Sequence, residues 1–381
     1  MSYSPGSSSL LIKMKFAFSL FVFCWFRGLS ALPTDSVPDS VFFYHPTEYG
    51  SNAFFNPATV LLNGGFDIFQ TGYQKTNPWA IAYGTGFRNV FRNIASPLDN
   101  IQQYGWSRFI KNEILPASLN ADHAQYLPNY TLHLIGGGMT YRTLWEWNTF
   151  HQIPFPRLTA AAFSLGYHVL NEAVENGDYT GVNVDPIADL LFFDPLGIVL
   201  FQSNRVARFF GETLNGRDWS TFPLYDPFYE RLDNVSQNYA FFIPLPKTRR
   251  YSLFVYLGMN EVAGLSLRLE KGYHLSGGGG LTIKEIVPAD ADKINGRTMT
   301  VQYRWNGALF LDYNRSLLAS FMVSAQRLYR MRLSLFPLPY FACSTIKPAF
   351  FAALDQQNRP VVGLSAAWFP VFLSVGGRRP R

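Results

Sequence analysis

The chain has 381 residues and a net charge of +6, with 17% aromatic but only 15% charged residues. That charged share is well below the roughly 25% of average soluble domains. No basic stripe or RNA-binding motif accompanies the modest positive charge, so nucleic acid is excluded as a partner. Of the two cysteines, Cys24 lies in an apolar N-terminal run and Cys343 near the C-terminus. A mature chain without the first has no disulfide and no Cys-based metal site.

Residues 1–31 read as a secretory signal. Lys13-Met14-Lys15 precedes an apolar run from Phe16 to Phe26, and small residues follow up to Ala31. The run is too short to span a bilayer as a helix. Residues 32–55, rich in Pro, Ser and Asp, are expected to be an extended linker.

Residues 56–232 lose the two-residue rhythm of strands and predict a mainly helical, membrane-associated segment. Asn89 to Leu115 is amphipathic, with Trp106, Phe109 and Ile110 available to pack on the barrel or lie at an interface. Leu132–Phe150, Pro156–Asn176 and Ile187–Glu212 read as helices. Pro156 opens the second and Asn176-Gly177 closes it. Pro186 and Pro195 are expected to break the third.

The candidate chemistry lies in these helices. His168, Glu172 and Glu175 stand at i, i+4 and i+7, which places them on one helical face. Together with His133, which precedes Gly136-Gly137-Gly138, they are the catalytic candidates, as general acid and base or as metal ligands. Arg142, Asp185, Asp189 and Asp194 are the ligand-binding candidates of the same region. The plainer reading is mutual satisfaction between packed helices: Arg142 pairs with Glu172 or Glu175, and Asp185 and Asp194 cap helices. No metalloprotease pair, zinc-finger spacing or nucleophile elbow occurs. No metal and no cofactor is therefore assigned.

Residues 233–377 alternate strictly, strand after strand. Leu253, Val255 and Leu257 fall opposite Ser252, Phe254 and Tyr256; Leu265 and Leu267 fall opposite Ser266 and Arg268. Val301, Tyr303, Trp305, Leu309 and Leu311 fall opposite Gln302, Arg304, Asn306 and Asp312. An antiparallel outer-membrane β-barrel of eight to twelve strands, apolar outside and polar inside, is expected. A soluble antiparallel sandwich or a lipocalin-like barrel, with its apolar face inward, is the alternative. Arg268 and Arg304, with Lys284, Asp312 and Arg332, are expected to face the lumen, Arg268 and Arg304 as further ligand-binding candidates. His274, Ser276 and Glu270 could form a serine hydrolase set, against the simpler reading of polar lining. Gly277–Gly280 lacks the Lys-Ser/Thr of a phosphate loop, so it predicts sharp coiling or close approach of an inner element. Residues 378–381 form a basic tail.

The segments His168-Val169-Leu170-Asn171-Glu172-Ala173-Val174-Glu175-Asn176, Val184-Asp185-Pro186-Ile187-Ala188-Asp189 and Phe193-Asp194-Pro195-Leu196-Gly197 resemble a set of uncharacterised Gram-negative envelope proteins. These carry a domain of unknown function: a polar His/Glu helix, then an acidic residue opening an apolar helix, in some followed by barrel strands. Where that pattern has a small residue after the acid, this chain has Leu190 after Asp189. The resemblance implies export and outer-membrane location but no settled activity. The expected partners are therefore outer-membrane lipids and the barrel assembly machinery. The expected role is a structural or ligand-binding envelope component with helices in or under the barrel. A lipid-modifying hydrolase or acyltransferase and a soluble periplasmic lipid-binding protein are the alternatives.

Overall fold

The structure, a computed structural model, describes residues 41–71, 76–116, 128–292, 296–326, 328–339, 347–367 and 369–376. The expected signal segment, most of the linker, Cys343 and the basic tail lie outside these residues.

Helices come first. Asn56 caps α1 (Pro57–Gly65) by accepting the amide of Thr59 at 2.9 Å, and α2 is Tyr83–Ala95. A π-helical segment, Pro128–Gly137, runs into α3, Gly138–Phe150. The longest helix, α4, is Pro156–Asn176, bounded by Pro156 and Gly177 as the sequence predicts. The next helix differs from expectation. Asp185–Ala188 continues through a π turn, Asp189–Phe193, into α5, Asp194–Gln202. Pro195 lacks the N–H that an α-helix would bond to the Leu191 carbonyl, and the widened turn accommodates its ring. The break falls at Ser203 instead, where the path bends by 86° into Asn204–Thr213. Among the described residues no single helix is long and apolar enough to cross a membrane.

The sheet begins at Arg217, earlier than the expected boundary after 232, and has 13 strands. The short strands β1 (Arg217–Asp218), β2 (Leu224–Asp226) and β3 (Arg231–Asp233) precede β4 (Asn238–Pro244), β5 (Tyr251–Gly258), β6 (Val262–Arg268), β7 (Tyr273–Asp292) and β8 (Gly296–Tyr313). Then come β9 (Ser316–Ser324), β10 (Tyr329–Leu335), β11 (Pro348–Asp355), β12 (Pro360–Ala366) and β13 (Phe372–Gly376). From β4 to β13 every neighbour is antiparallel and consecutive in the chain. The stretch from 217 to 226 reaches both flanks of this run. Its first residues pair with β4, with Trp219 and Thr221 donating to the Asn238 and Ser236 carbonyls at 2.9 and 3.1 Å. Its last residues pair in parallel with β13, Leu224 opposite Phe372.

The register separates two faces. One cross-strand row reads Leu253, Leu265, Gly277, Leu309, Phe321, Leu333, Ala352, Val362 and Val375 from β5 to β13. In it Leu265, Leu309 and Val375 are 54%, 54% and 52% exposed. The opposite face is not the polar lumen expected from the sequence. Serines line parts of its wall (Ser266, Ser276, Ser320, Ser334, Ser374), but an aromatic cluster fills the space they leave. Phe54, Trp219, Phe222, Phe242, Phe254, Phe310, Phe351 and Phe372 pack there with ring centroids mostly 5–6 Å apart. Small wall residues are what admit such bulk. Part of the expected linker thus enters this core: Ser51–Phe54 is a 3-10 turn whose Phe54 is buried in that cluster.

The helices, expected in or under the barrel, pack on the leucine face of the sheet. Met139, Leu144, Tyr167 and Phe201 share a core with Tyr239 and Phe241 of β4, whose partners in register are Leu257 and Val255. Val301 and Tyr303 join the same core, while Trp305, on the same face of β8, is exposed. The four glycines of β7 answer to neighbouring strands rather than to an inner element. A Cβ on Gly278 would lie 2.1 Å from the Ala263 carbonyl of β6, so the run permits tight coiling of the wall.

Candidate functional site

A buried ionic centre lies among the helices. α4 contributes His168 and Glu172, both buried, and the partly buried Glu175. The Asp185–Gln202 helix contributes Asp185, Asp189 and Asp194, exposed by 4% or less. The π turn is what aligns these three. The first two stand four residues apart and the second pair five, and a turn wide enough for i→i+5 bonding keeps all three on one face. His133 enters from the π-helical segment before α3.

Close crossing makes the approach possible. Gly197 of α5 passes over the glycine triplet: a Cβ there would sit 2.6 Å from the Leu134 carbonyl, and one on Gly138 would sit 2.9 Å from the Gly197 carbonyl. Gly137 leaves room for His168, whose Nε2 would be 3.1 Å from a Cβ at that position.

His133 is held between two aspartates, with Nδ1 3.0 Å from Asp194 Oδ1 and Nε2 3.5 Å from Asp189 Oδ2. His168 Nε2 approaches the same Asp194 oxygen at 3.3 Å without hydrogen-bond geometry. The two imidazole centroids are 4.8 Å apart. Two sets of potential ligand atoms result, each within 4.8 Å of one another: His133, His168 and Asp194, and Glu172, Asp185 and Asp189. Asp189 Oδ1 and Asp194 Oδ2 are buried without a hydrogen bond.

Burial sets the electrostatics, because removal from water penalises charge. It drives Glu172 and Asp189 well above the carboxylate range, and neighbouring carboxylates add to the shift. Glu175 and Asp185 move up for the same first reason. His168 is pushed down to about 3 by burial, against the pull of Asp194. In His133 burial acts downward too, but Asp194, with Glu172 and Asp67, overrides it and raises the group to about 9.

Several members have no local signature in the sequence. Asp67 accepts from Asn171 Nδ2 at 2.5 Å, and burial raises its carboxyl to about 7. Glu113, fully buried, lies on the Ile110–Ile114 π turn and hydrogen-bonds Asp185. Arg297 comes from β8, donates to the Asn176 carbonyl at 3.2 Å and stacks 3.9 Å over Tyr179. These residues are far apart in sequence, and only the packing brings them together.

Other candidates lie elsewhere. Arg142 is held by Glu146. Its Nε donates to Glu146 Oε1 at 2.8 Å on its own helix, where i,i+4 spacing makes that carboxylate the nearer partner. Arg268 is exposed and borders a hollow with Ser252, Ser266, His274 and Arg315. Arg304 is half-buried and donates to the Tyr303 carbonyl at 2.7 Å. Arg332 does face the aromatic interior, donating to Asn234 Oδ1 at 3.3 Å. His274 contacts Asp312 at 3.2 Å while Ser276 donates to Ser266, so no Ser–His pair assembles there. Asp185 and Asp194 do open helical turns, but their carboxylates face the ionic centre.

No family model matches the chain, and no curated protein or solved structure is significantly similar to it. No family is therefore assigned.

Proposed function

We propose that the protein is an integral outer-membrane component: a barrel whose leucine face meets lipid, plugged by its own aromatic side chains and braced by a helical layer. The carrying observation is the row from Leu253 to Val375, apolar at every strand and open to the surroundings at most of them. A soluble sheet would bury such a row, since exposed apolar patches of this extent mark membrane or partner contact. The stretch 217–226, bonded to both β4 and β13, supports closure of the wall. Leu191, Phe192, Leu196, Val199 and Leu200 continue the apolar surface over the helices, which fits a layer lying at the membrane boundary.

The role is structural rather than conductive or hydrolytic. The aromatic cluster occupies the space a channel would need. His133, His168 and Glu172 are only 8%, 4% and 2% exposed, which leaves a lipid ester no approach to them.

Fractionation of the native cells, followed by gels of unheated and boiled samples, tests the reading. An outer-membrane band that changes mobility on boiling is expected. A band confined to the soluble periplasmic fraction, with no shift, would overturn it.

A further inference from the structure

The ionic centre holds more acidic than basic groups. Seven carboxyls (Asp67, Glu113, Glu172, Glu175, Asp185, Asp189, Asp194) share it with two imidazoles and Arg297. An uncompensated buried carboxylate is costly, and such groups ordinarily pair or coordinate metal. Hydrogen bonding leaves part of this set unsettled: Asp189 Oδ1 and Asp194 Oδ2, on residues 3% and 2% exposed, have no donor.

Geometry narrows the ligand. Tetrahedral coordination with bonds of about 2.0–2.1 Å needs ligand atoms about 3.3–3.4 Å apart. Asp194 Oδ1 lies 3.0 Å from His133 Nδ1 and 3.3 Å from His168 Nε2. Two imidazoles and a carboxylate form a borderline donor set that suits manganese, iron or zinc; the adjacent all-carboxylate set suits a harder divalent ion. His133 spans the two, with Nε2 directed at Asp189, as a ligand's second nitrogen commonly is towards a carboxylate.

We propose that the two triads bind a pair of divalent transition-metal cations, one held by His133, His168 and Asp194, the other by Glu172, Asp185 and Asp189. The ions tie α4 to the Asp185–Gln202 helix and to the segment before α3, and their burial makes them structural. The proposal does not depend on where the sheet resides.

The test uses the full chain folded in detergent, stripped with EDTA, and then exposed separately to Mn²⁺, Zn²⁺, Mg²⁺ and Ca²⁺ before desalting. Elemental analysis is expected to find about two equivalents of Mn²⁺, which suits both donor sets, and at least one of Zn²⁺, and the melting temperature to rise by about 5 °C or more. His168→Ala and Asp189→Asn are each expected to lower the retained metal to about one equivalent. Folded wild-type protein that retains none of the four ions, and melts alike with and without them, would overturn the proposal even if both variants misfold. Folded variants that both keep the full complement would overturn it too.

Discussion

Asp189 and Asp194 stand five residues apart on one helix yet meet the two nitrogens of a single imidazole, His133, at 3.5 and 3.0 Å. The π turn between them carries one residue more than an α-helical path needs, and Pro195 at its end has no N–H to close an ordinary turn. Deleting Leu191 keeps both aspartates in phase but forces the proline ring against a carbonyl, at about 3 kcal/mol. Thermal melts are expected to show that loss for the deletion, and its recovery when Pro195→Ala is added. A deletion that melts like wild type would show that Pro195 does not require the wide turn.

Glu146 anchors the chain's first described segment. Its carboxylate accepts the amides of Phe42, Phe43 and Tyr44 at 2.9–3.0 Å while pairing with Arg142. Glu146→Ala removes four charge-assisted bonds and the carboxylate partner of a buried guanidinium, which is expected to cost about 3–5 kcal/mol. Glu146→Gln retains acceptors and is expected to lose less. Limited proteolysis near Phe42 should be fast in the alanine variant and slower in the glutamine one.

Asp67 supplies a pH signature. Burial raises its carboxyl to about 7 in the folded protein, so the folded state holds a proton that the unfolded state releases near pH 4. Its contribution is fully favourable below that value and is lost as pH rises through about 7. Asp67→Asn removes the dependence while still offering an oxygen to Asn171. In metal-stripped protein the variant is expected to melt roughly 2–6 °C above wild type at pH 8.5 and close to it at pH 4. A constant difference across that range would contradict the assignment.

The leucine face gives a position-specific expectation. Leu309→Arg places a charge in the middle of the exposed row, at about 2–4 kcal/mol if that row meets hydrocarbon. The same substitution at Trp79, which is exposed and donates its indole N–H to Tyr225 at 3.1 Å, is expected to cost about 1 kcal/mol, the worth of that bond. The fraction of heat-modifiable protein after refolding into lipid vesicles measures both. Equal yields would remove Leu309 from the lipid boundary.

Legibility followed the range of the forces involved. The bounds of α4 are local, set by Pro156 and Gly177, and can be read directly. The leucine row follows from two-residue alternation, which is also local. The character of the opposite face was misjudged, because Phe254, Tyr256 and Phe310 alternate with the leucines just as the serines do. Only the entry of Phe54, Trp219 and Phe222 from outside the ten-strand run shows that this side is a core. In the ionic centre, helical spacing selects His168, Glu172 and Glu175. Asp67, Glu113 and Arg297 carry no signal, since their roles depend on contacts between distant segments. The aspartate alignment needed a π turn, which the sequence pattern of that stretch does not announce.

The parallel pairing of β13 with β2 has a consequence for biogenesis. Leu224 and Tyr225 are synthesised well before Phe372 and Leu373, the residues they pair with. Until β13 is made, that side of β2 has no partner, and an open strand edge invites pairing with other chains. Contacts so distant in sequence are also slow to form. β13, made well after β2, is therefore the strand that ends the hazard. Lesions near Phe372 should show themselves first as aggregation during assembly, before any weakness of the finished molecule.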